Sequence, residues 1–465
     1  LGSLPGHVYA NVRQPPISTL NLAHMIPLSA VWAGPERDEH FGAPPLLFGK
    51  TEGSTPFRFC LHVGDVGYTL VVGPTGAGKS VLLALMALQF RRYKGSQIFA
   101  FDFGGSIRAA ALGMGGDWQD LGGALHAEEG DSAAVALQPL ARIDNAGERA
   151  WAAEWLAAML AGEGMVIDPA AKEHLWSALT SLASAPPAER TLTGLAVLLQ
   201  SQELKQALAP YLIGGPWGRL LDAEQERLGE ASVQAFETEG LIGASSAAAV
   251  LAYLFHRIEG RLDGSPTMII IDEGWLVLDS PAFAAQLREW LKTLRKKNAS
   301  VIFATQSLAD IKDNAIAPAI IESCPTRVFL PNPDAQTPQI AALYQDFGLN
   351  PQQVRIIANA TPKREYYYQS TAGNRLFELG LGGLSLAAVG SSSPGDQQLI
   401  SQLLADHDRS ELAERFFAAK GQADVARYLG DQRRADRTGA DDQVEHARRQ
   451  AGGGGGLGVA LAGQR

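Results

Sequence analysis

Short apolar runs alternate with stretches of helical periodicity along most of the chain. The runs consist mainly of β-branched, aromatic and other large apolar residues, as is typical of buried strands. They lie at 68–72, 97–104, 267–271, 300–304 and 326–330. Helical spacing follows the first run, with apolar residues at Leu82, Leu85, Met86 and Phe90. Strands separated by helices predict βαβ units and a parallel sheet.

A further helix is expected between the third and fourth runs. Leu287, Trp290, Leu291 and Leu294 fall on one face of it, and Pro281 suits its first turn. The sheet pattern therefore resumes in the second half of the chain.

Two late β runs, EYYYQS and NRLFEL, predict a hairpin with Gly373 and Asn374 at its turn. The tyrosines at 366–368 could stack on nucleic-acid bases, but aromatics along a strand favour packing within the protein. The basic cluster FRRYKG at 90–95 could touch nucleic acid as well. It ends a predicted helix, where cations complement the helix dipole, and we favour that interpretation.

The pattern divides the chain into six predicted parts. They are a Pro- and Gly-rich linker at 1–55, the first part of the sheet domain at 56–140, a mostly helical insertion at 141–265, the second part of the sheet domain at 266–395, C-terminal helices at 396–430, and a flexible Gly-rich tail at 431–465.

Composition and charge narrow the function classes. The formal net charge of −10 argues against a protein that mainly coats nucleic acid, although a local basic patch remains compatible with it. Cys60 and Cys324 match no metal or redox spacing and predict free thiols in the cytoplasm. No signal peptide is visible after Leu1, and the apolar stretch 241–255 is too short for a membrane span, so we expect a buried helix there.

A phosphate-binding loop follows the first strand, since the segment from 73 to 80 fits G-x-x-x-x-G-K-[ST] at every position. Its main-chain N–H groups would surround an anion at the positive end of the next helix. A chance glycine turn is the alternative, but the strand–loop–helix context favours the loop. The predicted nucleotide-binding residues are Gly73, Pro74, Thr75, Gly76, Ala77, Gly78, Lys79, Ser80 and Val81.

Two carboxylates end the strand MIIID and favour hydrolysis over simple nucleotide storage. Asp272 and Glu273 would lie at the carboxyl end of a parallel strand, where ligands of such sheets bind. Asp272, with Ser80, would hold Mg²⁺. Glu273 would activate the attacking water. An exposed acidic loop is the alternative, but the strand is apolar throughout.

Gln306 ends the next strand and could orient water or sense the γ-phosphate, as glutamine does in other P-loop enzymes. An arginine is expected to stabilise the transferred phosphoryl group, with Arg295, Arg327, Arg364 and Arg375 as candidates. We assign the role to Arg295, acting on the nucleotide of a neighbouring subunit. The alternative for Arg295 is a solvated helix terminus.

The stretches HVGDVGYTLVVGPTGAGKS, IIIDEGWLVL, WLKTLRKKNASVIFATQS, ESCPTRVFLPNPDA and REYYYQS, over roughly residues 25–390, resemble the larger ATPase of type IV secretion and conjugal-transfer systems, in particular its TrbE type. The resemblance implies an α/β fold. It would be a RecA-like P-loop NTPase domain of the HerA/FtsK lineage with a mostly parallel sheet, an inserted all-α domain and a C-terminal helical tail.

The resemblance also implies ATP and Mg²⁺ as cofactors, a hexamer as the active form, and peripheral association with the cytoplasmic face of the bacterial inner membrane beside other secretion components. It supports Lys79, Ser80, Asp272, Glu273 and Gln306 in the roles above and adds weight to Arg295. It implies that an N-terminal domain is missing and that this is the C-terminal ATPase portion.

Two other functions remain open at this point. A DNA-pumping hexameric motor of the same lineage would contact DNA through a basic pore, and even the secretion ATPase could make weak or transient DNA contacts. A scaffold that binds nucleotide but barely hydrolyses it is the second alternative. Glu273 argues against the scaffold, because such a protein needs no water-activating carboxylate.

Overall fold

The structure is a computed structural model that describes residues 18–26, 31–53, 55–126, 135–241, 246–273, 281–312 and 317–435. Much of the predicted linker and nearly all of the predicted flexible tail lie outside these described residues. The boundaries of the six predicted parts remain predictions.

The strands of the described part are, in chain order, β1 Leu47–Gly49, β2 Phe57–Phe59, β3 Tyr68–Val72, β4 Gln97–Asp102, β5 Asp117–Asp120, β6 Val233–Glu237, β7 Thr267–Asp272, β8 Ala299–Thr305, β9 Thr326–Phe329, β10 Glu365–Ser370 and β11 Asn374–Glu378.

Nine of these strands form one sheet in the order β11-β10-β9-β3-β8-β7-β4-β6-β5. All neighbours from β9 to β5 pair in parallel. At the other edge, β10 pairs antiparallel with both β9 and β11, which closes the predicted hairpin. The expected mostly parallel sheet is confirmed, and β3 lies between β9 on one side and β8 and β7 on the other.

The helices of the described part are α1 Thr19–Met25, α2 Lys79–Phe90, α3 Arg108–Gly113, α4 Leu121–His126, α5 Ala146–Gly162, α6 Pro169–Leu182, α7 Leu192–Leu198, α8 Gln202–Leu208, α9 Gly218–Leu221, α10 Ala247–Glu259, α11 Pro281–Leu294, α12 Leu308–Lys312, α13 Ala317–Ser323, α14 Pro338–Asp346, α15 Pro351–Asn359, α16 Gly383–Val389, α17 Pro394–Asp406 and α18 Leu412–Ala419.

The expected helical insertion is present as α5 to α9, and its helices begin where the sequence places good caps. Asn145 and Asp168 accept hydrogen bonds from the first turns of α5 and α6, and Pro169 occupies the first position of α6. The predicted range of 141–265 also contains β6, which pairs with β4 inside the main sheet. The chain thus returns to the sheet at Val233, earlier than the helical pattern predicted.

Both faces of the sheet are buried. Leu70 and Phe99 contribute to the apolar cluster on one face, while Val71, Ile98 and Ala100 contribute to the cluster on the other. Successive side chains of a strand point to opposite faces, so a strand covered on both sides must be apolar throughout. This requirement explains the continuous apolar runs in the sequence.

The apolar stretch 241–255 contributes most of α10, whose buried residues include Val250, Leu254 and Phe255, as expected for a buried helix. None of the helices in the described part of the chain combines the length and apolar character that a membrane-spanning helix needs.

The tyrosines of β10 are packing residues. Tyr366, Tyr367 and Tyr368 are 1%, 4% and 2% exposed, and the rings of Tyr366 and Tyr368 contact aromatic neighbours such as Phe377 and Phe57. The favoured packing interpretation is confirmed, because buried rings offer no face to a nucleic-acid base.

The basic cluster after α2 bonds within the chain. Arg91 donates to the carbonyl oxygen of Ser96 at 2.7 Å, and Arg92 donates to that of Pro45 at 2.5 Å. These bonds agree with the structural interpretation of the cluster.

The side chain of Leu294 tests the packing of α11 against the sheet. It is fully buried, so Leu294→Ala should lower the free energy of unfolding by about 2–5 kcal/mol, measured by urea denaturation. Lys292→Ala is the control, because Lys292 is exposed on the same helix. Equal stability of the two variants would contradict the packing.

Candidate nucleotide-binding cleft

A cleft of about 770 Å³ opens at the carboxyl ends of β3, β7 and β8. Its described lining residues include Pro74, Thr75, Gly76, Gly78, Lys79, Ser80, Val81, Asp272, Glu273 and Gln306. The structure therefore brings the predicted phosphate loop, the two carboxylates and the glutamine to one cavity. These positions agree with the sequence analysis, while the roles of the residues remain predictions.

The phosphate loop has the backbone that an anion cradle needs. Gly76 and Gly78 have φ angles of +79° and +107°, in the left-handed region that favours glycine. The N–H of Gly73 donates to the carbonyl oxygen of Thr305 at 2.9 Å, which fixes the loop to the end of β8. Helix α2 begins at Lys79, so its free N–H groups and positive dipole end face the cleft.

Lys79 connects the loop to the carboxylates of β7. Its ammonium nitrogen lies 3.0 Å from Oδ1 of Asp272 and donates a hydrogen bond to Oε1 of Glu273. The three side chains are nearly buried, with exposures of 10%, 3% and 6%. An unpaired charge at this depth would be costly, so each group depends on the others.

Asp272 fits a magnesium ligand. Burial raises its pKa, and the ammonium of Lys79 opposes that rise. Although Oδ1 lies near Lys79, no described group donates a well-directed hydrogen bond to this buried oxygen. A buried carboxylate oxygen with open coordination, in the same cavity as the hydroxyl of Ser80, is the kind of hard oxygen donor that Mg²⁺ prefers.

Glu273 is held in an unusual backbone conformation. Its φ angle is +53°, which is uncommon for a residue with a side chain and is found most often at functional sites. Its N–H donates to the carbonyl oxygen of Ala304 at 3.1 Å, across the pairing of β7 with β8. This bond fixes the residue that turns the chain at the strand end.

Gln306 lies at the exposed edge of the cleft. Its Oε1 accepts a hydrogen bond of 2.5 Å from the hydroxyl of Thr75 in the phosphate loop. The two strand ends are therefore joined through their side chains, and Gln306 is placed where a terminal phosphate would extend beyond the loop.

The structure does not bring Arg295 into the cleft of its own chain. Arg295 precedes β8, at the amino ends of the strands, whereas Gln306 follows β8 at their carboxyl ends. Seven strand residues separate these edges, which corresponds to about 23 Å. The guanidinium of Arg295 instead bonds to Asp65 at 2.7 Å from Nε, and it is half exposed.

The other arginine candidates differ in position. Arg327 donates to the carbonyl oxygens of Ile321 and Phe347 and thereby joins elements of the fold. Arg364 lines the cleft, where its Nε lies 3.0 Å from Oε2 of Glu378. Arg375 belongs to β11.

The chain is similar to proteins of conjugation and secretion systems. Residues 199–369 match a family model described as the TraG P-loop domain. A probable conjugal transfer protein TrbE of Sinorhizobium fredii is 47% identical over 414 residues, which are 88% of this chain and 62% of that protein. The conjugal transfer protein TrbE of Rhizobium radiobacter is 45% identical over 412 residues, 88% of this chain and 50% of that protein. This chain is a homologue of the TrbE proteins.

More distant relatives agree with this identification. The type IV secretion system protein VirB4 of Bartonella quintana is 27% identical over 413 residues, 87% of this chain and 51% of that protein. The chain thus spans between half and two thirds of the length of these curated relatives. The expected similarity to TrbE is confirmed.

A solved structure supports the fold. The structure of VirB4 from Thermoanaerobacter pseudethanolicus superposes with a TM-score of 0.58 at 16% identity, over 74% of this chain and 98% of that one. The fold of this TrbE homologue is therefore α/β with P-loop NTPase architecture, as the sequence predicted.

Sequence reasoning missed the wall of the cleft opposite Asp272 and Glu273. Lys363, Tyr366 and the segment 378–381 line this side, together with Arg364, which was considered only as an arginine finger. The N–H of Lys363 donates to the carbonyl oxygen of Ala77 at 2.9 Å, and the hydroxyl of Tyr366 donates to that of Gly78 at 3.2 Å. The sequence signal for this wall is weak, because no motif links these residues to the phosphate loop.

Gly78 provides a test of the loop geometry. A Cβ at this position would lie 2.7 Å from the hydroxyl oxygen of Tyr366 and 3.2 Å from Cα of Lys363, and the φ angle also disfavours a side chain. Gly78→Ala should therefore lower the affinity for ATP by about tenfold or more, measured by calorimetric titration.

The control for this variant is Gly113→Ala, because a Cβ at Gly113 meets no atom within 4 Å. Unchanged ATP affinity in Gly78→Ala would show that the loop tolerates a side chain against this wall.

Proposed function

We propose that this chain is a Mg²⁺-dependent ATP hydrolase that energises channel assembly and substrate transport in a type IV secretion or conjugal transfer system. The observation that carries the proposal is the contact of Lys79 with both Asp272 and Glu273 inside one cleft. A loop that grips phosphate and a carboxylate that activates water must lie this close for hydrolysis. The secretion context rests on relatives whose names are conjugal transfer protein TrbE and type IV secretion system protein VirB4.

The residues of the chain divide the work as follows. The loop from Gly73 to Val81 binds the phosphates through its main-chain N–H groups, and Lys79 turns from the carboxylates toward the phosphate oxygens. Ser80 and Asp272 hold the metal. A bound Mg²⁺ would neutralise charge on the phosphate oxygens.

Glu273 accepts a proton from the attacking water while the water oxygen bonds to the terminal phosphorus. The bond between that phosphorus and the bridging oxygen breaks, and ADP and phosphate leave. Gln306 orients the water or detects the terminal phosphate from the edge of the cleft, and its hydrogen bond to Thr75 supports this position.

Arg295 acts on the nucleotide of a neighbouring subunit. Its position at the amino ends of the strands supports this role, because its own cleft lies at the opposite edge of the sheet. An arginine supplied in trans requires subunits in contact, so the active form is a homo-oligomer, and we propose a hexamer.

The assembly works at the cytoplasmic face of the bacterial inner membrane, peripherally bound beside other secretion components. Contacts with DNA are at most weak or transient, since the formal net charge of −10 opposes a general affinity for nucleic acid.

Glu273→Gln tests the hydrolytic role. The variant keeps the size of the side chain but cannot accept the proton of water, so ATP turnover should fall by about 100-fold or more while ATP binding persists. Phosphate release and calorimetric titration measure the two quantities.

The matched control is Glu289→Gln, on the exposed face of α11. Unchanged turnover in Glu273→Gln would remove Glu273 from its role. Turnover of the unmodified chain that depends on added DNA would favour the DNA-pumping alternative.

Arg295→Ala tests action between subunits. Alone it should hydrolyse ATP at least about tenfold more slowly, and mixing it with Lys79→Ala should restore part of the activity. In the mixture, an intact cleft of the first variant meets the intact arginine of the second.

Lys296→Ala, altered in the same exposed turn, should retain activity alone. If no ratio of Arg295→Ala to Lys79→Ala recovers activity, Arg295 does not serve a neighbouring cleft.

A further inference from the structure

The sheet order divides the cleft into two sides. The phosphate loop follows β3, and the strands that carry Asp272, Glu273 and Gln306 lie on one side of it. Strands β9, β10 and β11 lie on the other side. A nucleotide whose terminal phosphate faces the carboxylates must extend its nucleoside away from them, toward β10 and β11.

The wall on that second side has a different chemistry. Leu379, Leu381 and Leu386 line it, and Leu386 is 48% exposed. Leu379 and Leu381 follow β11 directly and are only half buried against the apolar core. Exposed leucines inside a polar cleft match no part of a triphosphate, but they match the apolar face of a nucleobase.

Polar groups border the leucines. Arg364 and Glu378 form an ion pair of 3.0 Å, with side-chain exposures of 61% and 18%. The main chain of Glu378 is fixed by two hydrogen bonds of 2.7 Å to Lys50. These groups offer both a donor and an acceptor next to the apolar surface, which suits the hydroxyls of a ribose.

The wall is held in register with the phosphate loop. The N–H of Lys363 bonds to Ala77 and the hydroxyl of Tyr366 bonds to Gly78, so the residues that precede and begin β10 contact the loop directly. Helix α16, which carries Leu386, packs against α2, the helix that begins at Lys79. The wall and the loop are therefore positioned before any ligand arrives.

From this arrangement we infer that Leu379, Leu381 and Leu386 form the nucleobase subsite of the cleft, with Arg364 and Glu378 at the ribose. The inference rests on the proposed function, since it assumes that the phosphate loop binds ATP. It adds the part of the substrate that the loop does not contact. The leucines contribute binding through the base alone, and the phosphates bind independently of them.

The experiment compares ATP with inorganic tripolyphosphate, which has the phosphates but no nucleoside. Both are titrated calorimetrically, with Mg²⁺, into the unmodified chain, Leu386→Ala and the double variant Leu381→Ala/Leu386→Ala. We expect the double variant to bind ATP about tenfold more weakly and to keep its affinity for tripolyphosphate. The single variant should show a smaller loss of the same kind.

Leu384→Ala is the matched control. Leu384 is 43% exposed on the same helix but is absent from the described lining of the cleft, so its truncation should change neither affinity. Because Leu386 is about half exposed, its single truncation should leave the fold intact, which thermal unfolding verifies.

Two results would overturn the inference. ATP affinity that is unchanged in both leucine variants would show that the base does not bind there. Equal weakening of ATP and tripolyphosphate would show that the wall acts only by supporting the phosphate loop. In either case Lys79→Ala should still abolish binding of both probes, so the proposed function would stand. If the unmodified chain bound neither probe, the proposed function would fail and this inference with it.

Discussion

The contact of one buried ammonium with two buried carboxylates is the interaction on which the cleft depends. Lys79 offsets charge that Asp272 and Glu273 could not otherwise keep at such low exposure. The three groups together carry one excess negative charge, so the pocket favours an incoming cation over a bare anion. A nucleotide that arrives with its metal satisfies this requirement, because the metal replaces the ammonium beside the carboxylates while the ammonium turns to phosphate.

The sheet provides the rigidity that this contact requires. Strands β3, β7 and β8 are buried on both faces, and their ends are joined by the bonds from Gly73 to Thr305 and from Glu273 to Ala304. The left-handed conformation of Glu273 costs about 1–3 kcal/mol, and the paired strands around it sustain that cost. Strain at the carboxylate is thus balanced by packing elsewhere in the sheet.

The sequence alone predicted the half of the cleft that short motifs encode. The phosphate loop, Asp272, Glu273 and Gln306 each follow an apolar run, and parallel strands bring such ends to one edge. The opposite wall was not predictable in this way, because Lys363 and Leu381 reach the loop only through the position of β10 and β11 in the sheet. Periodicity detects strands but not their spatial order. For the same reason β6, a five-residue strand after a long helical stretch, was absorbed into the predicted insertion.

The cleft and Arg295 occupy opposite rims of the sheet, and this separation constrains how copies of the chain can associate. If each arginine serves the next cleft, every contact joins unlike surfaces, so a pair related by a two-fold axis cannot complete both sites. The assembly must then circulate in one direction until it closes on itself. Loss of a single member would break the circle and deprive one remaining cleft of its arginine.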